Sequence, residues 1–221
     1  MSITLSLETI LGGVVLFGAF LQIPARRIAM MLLLCRLLAF ALAGEAVLQA
    51  VLEHQWSLYF VAVLVLLLQG VGLNRVGRDM ARHYASGHEG ELIIPPNLAL
   101  LIGLLPVCLA VMSLLPEVRT VPLPVIKSLP PAPEAVMIAF AVVLLGLWLI
   151  IVKKQVLART LGFVVLADGV ILAIENVAGL GGAGLIAVIA LLGLGGMLVG
   201  LVYGAQQQAE IELSRMDESE W

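Results

Sequence analysis

Seven apolar runs, each close to 20 residues long, leave this chain few ways to fold. They cover approximately residues 4–23, 31–52, 56–74, 97–115, 135–152, 160–178 and 183–204. A helix needs about 20 apolar residues to cross the hydrocarbon core of a bilayer. Inside lipid the backbone must satisfy its own hydrogen bonds, so a spanning chain is either helical or a closed barrel. Runs of this length read as helices. Hydrophobic residues make up 62% of the 221 and charged ones only 12%. A polar shell around a soluble core cannot be assembled from that remainder. The expectation is an all-α, polytopic membrane protein with about seven transmembrane helices.

The punctuation agrees with the runs. Pro24, Pro95, Pro96, Pro116, Pro130, Pro131 and Pro133 fall between them, and the stretch Gly179 to Gly182 marks a turn before the last. Pro106 sits inside the fourth run and is expected to kink it. Residues 28–35 follow Arg26 and Arg27; they either extend the second helix or lie at the interface. The N-terminus has no basic stretch and no small-residue cleavage site, so the first helix is expected to be retained.

Lysine and arginine in short loops set orientation. Arg26 and Arg27 follow the first helix. Arg75, Arg78 and Arg82 follow the third. Lys153, Lys154 and Arg159 follow the fifth. The intervening loops hold only Arg119 and Lys127. Loops one, three and five are thus expected to face the cytoplasm, with the N-terminus outside and the tail 206–221 inside.

Two acids lie within the apolar helices in matched surroundings. Arg36, Phe40 and Glu45 keep the spacing of Arg159, Phe163 and Asp168, at an offset of 123 residues. A carboxylate at the centre of a spanning helix costs about 2.5–3.5 kcal/mol on insertion scales. Matched acids at that cost point to use. The offset divides the chain into an N-terminal three-helix unit (1–80), a loop, linker helix and outer loop (81–133), a second three-helix unit (134–204) and a tail (205–221). One linker helix between odd-numbered units makes the repeat parallel, whereas many alternating-access carriers use inverted repeats.

Asp168 lies halfway through the sixth helix. A carboxyl there can accept and release a proton, as a relay requires. Glu175 is seven residues further on, on the same helix face and about 10 Å along the axis. Its position beside Asn176 reads more readily as a solvated, interfacial acid than as the outer end of a path. Glu45 sits in the outer half of the second helix. Arg36 is on the face opposite Glu45, and Arg36 and Arg159 are expected to snorkel to the interface or to meet a partner subunit. Gln69 is the strongly polar residue of the third run, suited to hydrogen bonding between helices. Asn74 is expected at the interface.

Other features carry less chemistry. Gly193, Gly195, Gly196 and Gly200 suggest close packing of the seventh helix, which contains no acid. Cys35 and Cys108 read as small buried hydrophobes. His83, His88, Glu89 and Glu91 crowd a loop without ligand spacing and read as a contact surface, not a metal site. No nucleophile–base pair, phosphate loop or dinucleotide fingerprint appears, and no basic stripe interleaved with aromatics suggests nucleic acid. Neither a catalytic residue nor a bound cofactor is expected.

From Lys153 and Lys154, through Arg159, to the stretch Thr160-Leu161-Gly162-Phe163-Val164-Val165-Leu166-Ala167-Asp168-Gly169-Val170, the chain resembles the E component of hydrogenase-4-type membrane complexes. That family is similar, in its last three helices, to the small K subunit of respiratory complex I and to the C subunit of multisubunit cation/proton antiporters. The resemblance implies a non-catalytic subunit of a redox-linked, proton-translocating complex in the cell inner membrane. Its partners would be antiporter-like subunits and a membrane anchor subunit. Asp168 matches the first of two membrane glutamates in the K-type subunit. The second falls near Gly193 and is absent, while Gln69 holds the related place in the first unit. Glu45 or Glu175 would substitute, or a partner would supply the group. The rival expectations are an antiporter subunit without redox chemistry and a structural scaffold.

Overall fold

A computed structural model describes residues 2–73, 75, 92–114, 133–178 and 186–197. Asn74, Gly200, the tail, Arg119, Lys127 and the loop holding His83, His88, Glu89 and Glu91 lie outside the described residues. The described chain is helical. Its elements are α1 (Ser2–Leu21), α2 (Ile28–Glu53), α3 (Trp56–Val65), α4 (Pro96–Leu114), α5 (Pro133–Val152), α6 (Val156–Ala178) and α7 (Ile186–Met197). At its C-terminal end α3 runs on as a π-helix over Leu66–Leu73. Residues 28–35 extend α2, whose first turn forms at Ile28. Pro106 lies inside α4.

Among the described residues, length and hydropathy qualify four helices to cross a membrane: α2, α3 with its π-helical continuation, α5 and α6. Shorter apolar stretches lie in α1, α4 and α7. Phe17, Phe60, Leu101 and Leu105 are more than half exposed on the outer surface. Water would penalise such a surface, whereas lipid does not. The chain is an all-α, multi-pass membrane protein.

The tightest pair is α5 with α6. Gly146 on α5 lies directly against the backbone of Leu166, which occupies the place a side chain would take. Across the pair, a Cβ at Gly162 would lie 2.9 Å from the Ile150 nitrogen, and one at Gly169 would lie 2.6 Å from the Val143 nitrogen. Three glycines therefore let two backbones touch, as small residues do where lipid supplies no hydrophobic drive. The heptad between Gly162 and Gly169 carries this signal in the sequence. The glycines of α7 behave otherwise: among the described residues nothing lies within 4 Å of a Cβ placed at Gly193, Gly195 or Gly196. The expected close packing of these three glycines is not found against the described helices. Around the α5–α6 pair, α1 and α2 pack together, α2 also meets α3 and α6, and α4 leans on α5. Leu38, Leu42, Leu145, Leu149 and Ile171 form the shared core.

The basic connections meet at one end. The Lys153 side chain has no exposed surface; its Nζ donates to the carbonyls of Ile23 (3.1 Å) and Ala25 (2.7 Å) in the first connection. Ile93, at the close of the third connection, donates its backbone N–H to Val152 O at 2.9 Å. Arg159 Nε donates to Lys153 O at 2.7 Å, which satisfies a carbonyl beyond the end of α5. At the opposite end, His54 takes a left-handed conformation (φ 54°) and closes α2 ahead of α3.

Two expected outcomes follow from this packing. Gly169→Ala should lower stability by about 1–3 kcal/mol, because a backbone has to move. Gly13→Ala, where no described residue lies within 4 Å, should be neutral or stabilising by up to about 1 kcal/mol. Thermal unfolding of the two variants in detergent compares them directly. Burial pushes the Lys153 amine down from 10.5 to about 8. Between those two values the unfolded chain holds a proton that the folded chain has released, so stability should rise with pH across that window. Lys153→Met should flatten the rise, as read from unfolding midpoints measured from pH 7 to 11.

Candidate functional site

Helix α6 holds two buried acids on one face. Its sequence is apolar through most of its length, so Asp168 enters the bundle because its neighbours do. Leu161, Val165, Gly169 and Leu172 all face other helices, and Asp168 is carried in with them at 0% exposure. The partner comes from the π-helical part of α3. A π-turn widens the helix and turns side chains off the α-helical register, and such turns often mark functional sites. Here it presents Gln69, whose Nε2 donates to Asp168 Oδ1 at 2.5 Å. Asp168 Oδ2 and Gln69 Oε1 have no hydrogen-bond partner among the described residues. On the α2 side, Gln22 Nε2 donates to Cys35 Sγ at 3.5 Å, and Cys35 lies within electrostatic reach of Asp168.

Gln69 also borders a cavity of about 210 Å³ between the π-helical segment, α6 and α7. Leu73, Val164, Leu192, Gly195 and Gly196 supply much of its apolar wall. Leu192 occupies the place on α7 that Gln69 occupies in the first unit. An acid is absent there, and open space adjoins Gln69 instead.

A second polar cluster lies further along α6, against α2. Asn176 Nδ2 donates to Glu45 Oε1 at 3.2 Å and to Leu172 O at 2.8 Å. Gln49 Nε2 donates to Asn176 Oδ1 at 3.2 Å. Glu45 is 2% exposed and Glu175 is 3% exposed. The solvated, interfacial reading of Glu175 is therefore overturned: α2 covers this face of α6, and the side chain is enclosed by protein. Glu45 is close enough to Glu175 for their charges to interact. Neither oxygen of Glu175 has a hydrogen-bond partner among the described residues.

The structure therefore brings Asp168 and Gln69 together, and separately Glu45 and Glu175. Glu45 pairs with Asn176, and its match with Asp168 across the repeat is one of sequence position. Arg36 and Arg159 stand apart from both clusters. Arg36 is exposed and stacks over the Phe40 ring, 5.6 Å from its centroid. Arg159 is exposed and bound to the Lys153 carbonyl. Cys35 is buried as expected, but Cys108 is exposed on α4. Among the described residues no group of three His, Cys, Asp or Glu side chains converges. The roles of Gln49 and Gln22 went unread in the sequence. Gln49 lies four residues after Glu45, one helical turn away on the same face, and that spacing was the available signal.

The Gln69–Asp168 bond has a direct spectroscopic test. The carboxyl infrared band of Asp168, assigned by its loss in Asp168→Asn, should shift in Gln69→Leu. An unmoved band would mean that Gln69 does not hold the acid. Comparison of the chain with protein-family models, with curated proteins and with solved structures finds no match.

Proposed function

We propose that this chain is a non-catalytic subunit of a redox-linked, proton-translocating complex of the hydrogenase-4 type, and that Asp168 is its central proton-relay group. The observation that carries the reading is Asp168 itself. It is fully enclosed at mid-helix, held by one amide donor on a π-turn, with its second oxygen unpartnered. A purely structural carboxyl is expected to have its acceptors filled, since each buried unsatisfied polar atom costs about 1–3 kcal/mol. A carboxyl that takes up and gives back a proton needs an open oxygen.

Chemically, Asp168 would receive a proton at Oδ2, hold it as the neutral acid, and pass it on. Gln69 keeps Oδ1 in place in both states, because an amide N–H can donate to a carbonyl or to a carboxylate oxygen. Glu175 and Glu45, about 10 Å further along the axis, would form the outward continuation. Water or a partner's side chain has to bridge that gap, since a proton is passed only across hydrogen-bond distances. The cavity beside Gln69 lies toward the Val164 end of α6, on the far side of Asp168 from Glu175, so it adjoins the inward approach to Asp168 and not this gap. The resemblance over residues 153–170 supports the complex, its antiporter-like and anchor partners, and the inner membrane. Basic residues in connections one, three and five support a cytoplasmic placement for that end of the bundle. The exposed Arg36 suits contact with a neighbouring subunit or with lipid phosphate.

The decisive experiment replaces Asp168 with Asn in the intact membrane complex. Proton translocation should fall at least about tenfold, with the complex still assembled. Unchanged translocation would leave a structural scaffold as the better account. Copurification of this chain with antiporter-like subunits alone, and no redox partner, would favour an antiporter without redox chemistry.

A further inference from the structure

The basic end of the bundle carries charge that no acid of the described helices balances. Arg26, Arg27 and Arg159 are exposed there, and Lys153 is buried against the first connection. The acids of the described helices lie at mid-helix, as Asp168 does, or toward the opposite end, as Glu8, Glu45, Glu53, Glu134 and Glu175 do. The arginines come from two connections that are pinned together. Lys153 Nζ donates to the carbonyl of Ala25, the residue before Arg26, and the Lys153 carbonyl accepts from Arg159 Nε. Arg159 Nε and the Ala25 oxygen therefore lie no further apart than one lysine and two hydrogen bonds. Packing of Ala25, Ile28 and Met31 with Leu157, Ala158 and Leu161 keeps the starts of α2 and α6 side by side. Past Arg27 the surface turns apolar at once. Met30, Leu33 and Leu37 are each more than half exposed, and their spacing of three and four residues sets them in one stripe along α2.

We propose that Arg26, Arg27 and Arg159 hold the headgroup of one anionic phospholipid at this joint, with its acyl chains along Met30, Leu33 and Leu37. Guanidinium groups match phosphate in geometry and keep their charge at any physiological pH. The surplus of cations selects the headgroup. A zwitterionic lipid brings its own cation and leaves that surplus in place, whereas an anionic one reduces it. The stripe selects a lipid over a free phosphate. It follows the arginines directly, so charge and apolar surface come in the order in which a phospholipid carries them. An inorganic anion would cover none of the stripe, and an acyl chain covers it. Lys153 is a positioning residue here. It holds the two connections at a fixed separation through backbone carbonyls, so the arginine backbones are placed before the lipid arrives and less ordering remains to be done on binding. The site does not depend on Asp168 or on proton translocation.

The test measures lipid binding without turnover, so its failure is separate from that of the relay reading. The full chain, purified in a neutral detergent, is unfolded thermally at fixed pH and ionic strength with phosphatidylglycerol or phosphatidylcholine added at equal mole fraction. Phosphatidylglycerol at about 100 times its dissociation constant should raise the midpoint by on the order of 5 °C over phosphatidylcholine. Arg26→Gln and Arg27→Gln should each weaken the apparent affinity about fivefold, and Arg36→Gln, which removes the same charge from further along α2, less than about twofold. Mass spectrometry of the intact chain released from detergent should find a phosphatidylglycerol adduct that saturates at a single lipid and is depleted in the first two variants. That direct reading keeps the proposal testable if a variant is unstable. Equal midpoints in the two lipids would overturn the site. So would a loss in Arg36→Gln as large as that in Arg26→Gln, which means attraction by net charge only, or adducts that accumulate without saturating. Inorganic phosphate or glycerol phosphate that stabilises as well as phosphatidylglycerol would mean a free-anion site and would overturn the lipid assignment.

Discussion

The backbone contact between α5 and α6 positions both acids of α6, Asp168 and Glu175. Gly146, Gly162 and Gly169 remove three side chains from one interface, and the two helices close until main chain meets main chain. In lipid this is a principal source of association, because the surrounding tails are as apolar as leucine. Once α6 is held there, its opposite surfaces face α2 and the π-helical end of α3. Asp168 then meets Gln69, and Glu175 meets the Glu45 region. Lys153 secures the same hairpin from one end by tying it to the first connection.

The two polar clusters solve the burial problem differently. Around Asp168 there is one donor, one open carboxyl oxygen and an adjoining apolar cavity. Around Glu175 there is a linked set of amides and carboxylates with several open oxygens. An unsatisfied oxygen in a low-dielectric interior is expensive, and its expense is lifted by whatever binds it, whether proton or water. The arrangement makes each cluster responsive to an exchangeable group, which an apolar replacement of equal volume would not be. The π-turn that delivers Gln69 is part of the same logic, since a regular α-helix would put that amide on a different azimuth.

Much of the architecture was legible along the chain. Apolar run length located α1 to α6 to within a few residues, and the largest shift among these was at α6, which starts at Val156 where the run began at 160. Prolines and the basic residues marked the connections. Asp168 and Gln69 were legible as the polar interruptions of their runs. Less was visible around Glu175. Position near a helix end suggests solvent, but exposure depends on what covers that end, and here α2 does. The glycines of α7 show the same limit. Gly193, Gly195 and Gly196 have no described neighbour within 4 Å of a Cβ, and Gly195 and Gly196 line a cavity instead.

The sequence by itself determined the class, the helix locations and which polar residues lie within apolar runs, because these follow from hydropathy and from the self-contained hydrogen bonding of a helix in lipid. Only the tertiary structure decided which of those residues meet. Pairing depends on the rotation and separation of helices far apart in the chain, and these are set by packing: the glycine contacts of α5 with α6 and the π-turn in α3. That is why Glu45, matched in sequence with Asp168, is found beside Asn176.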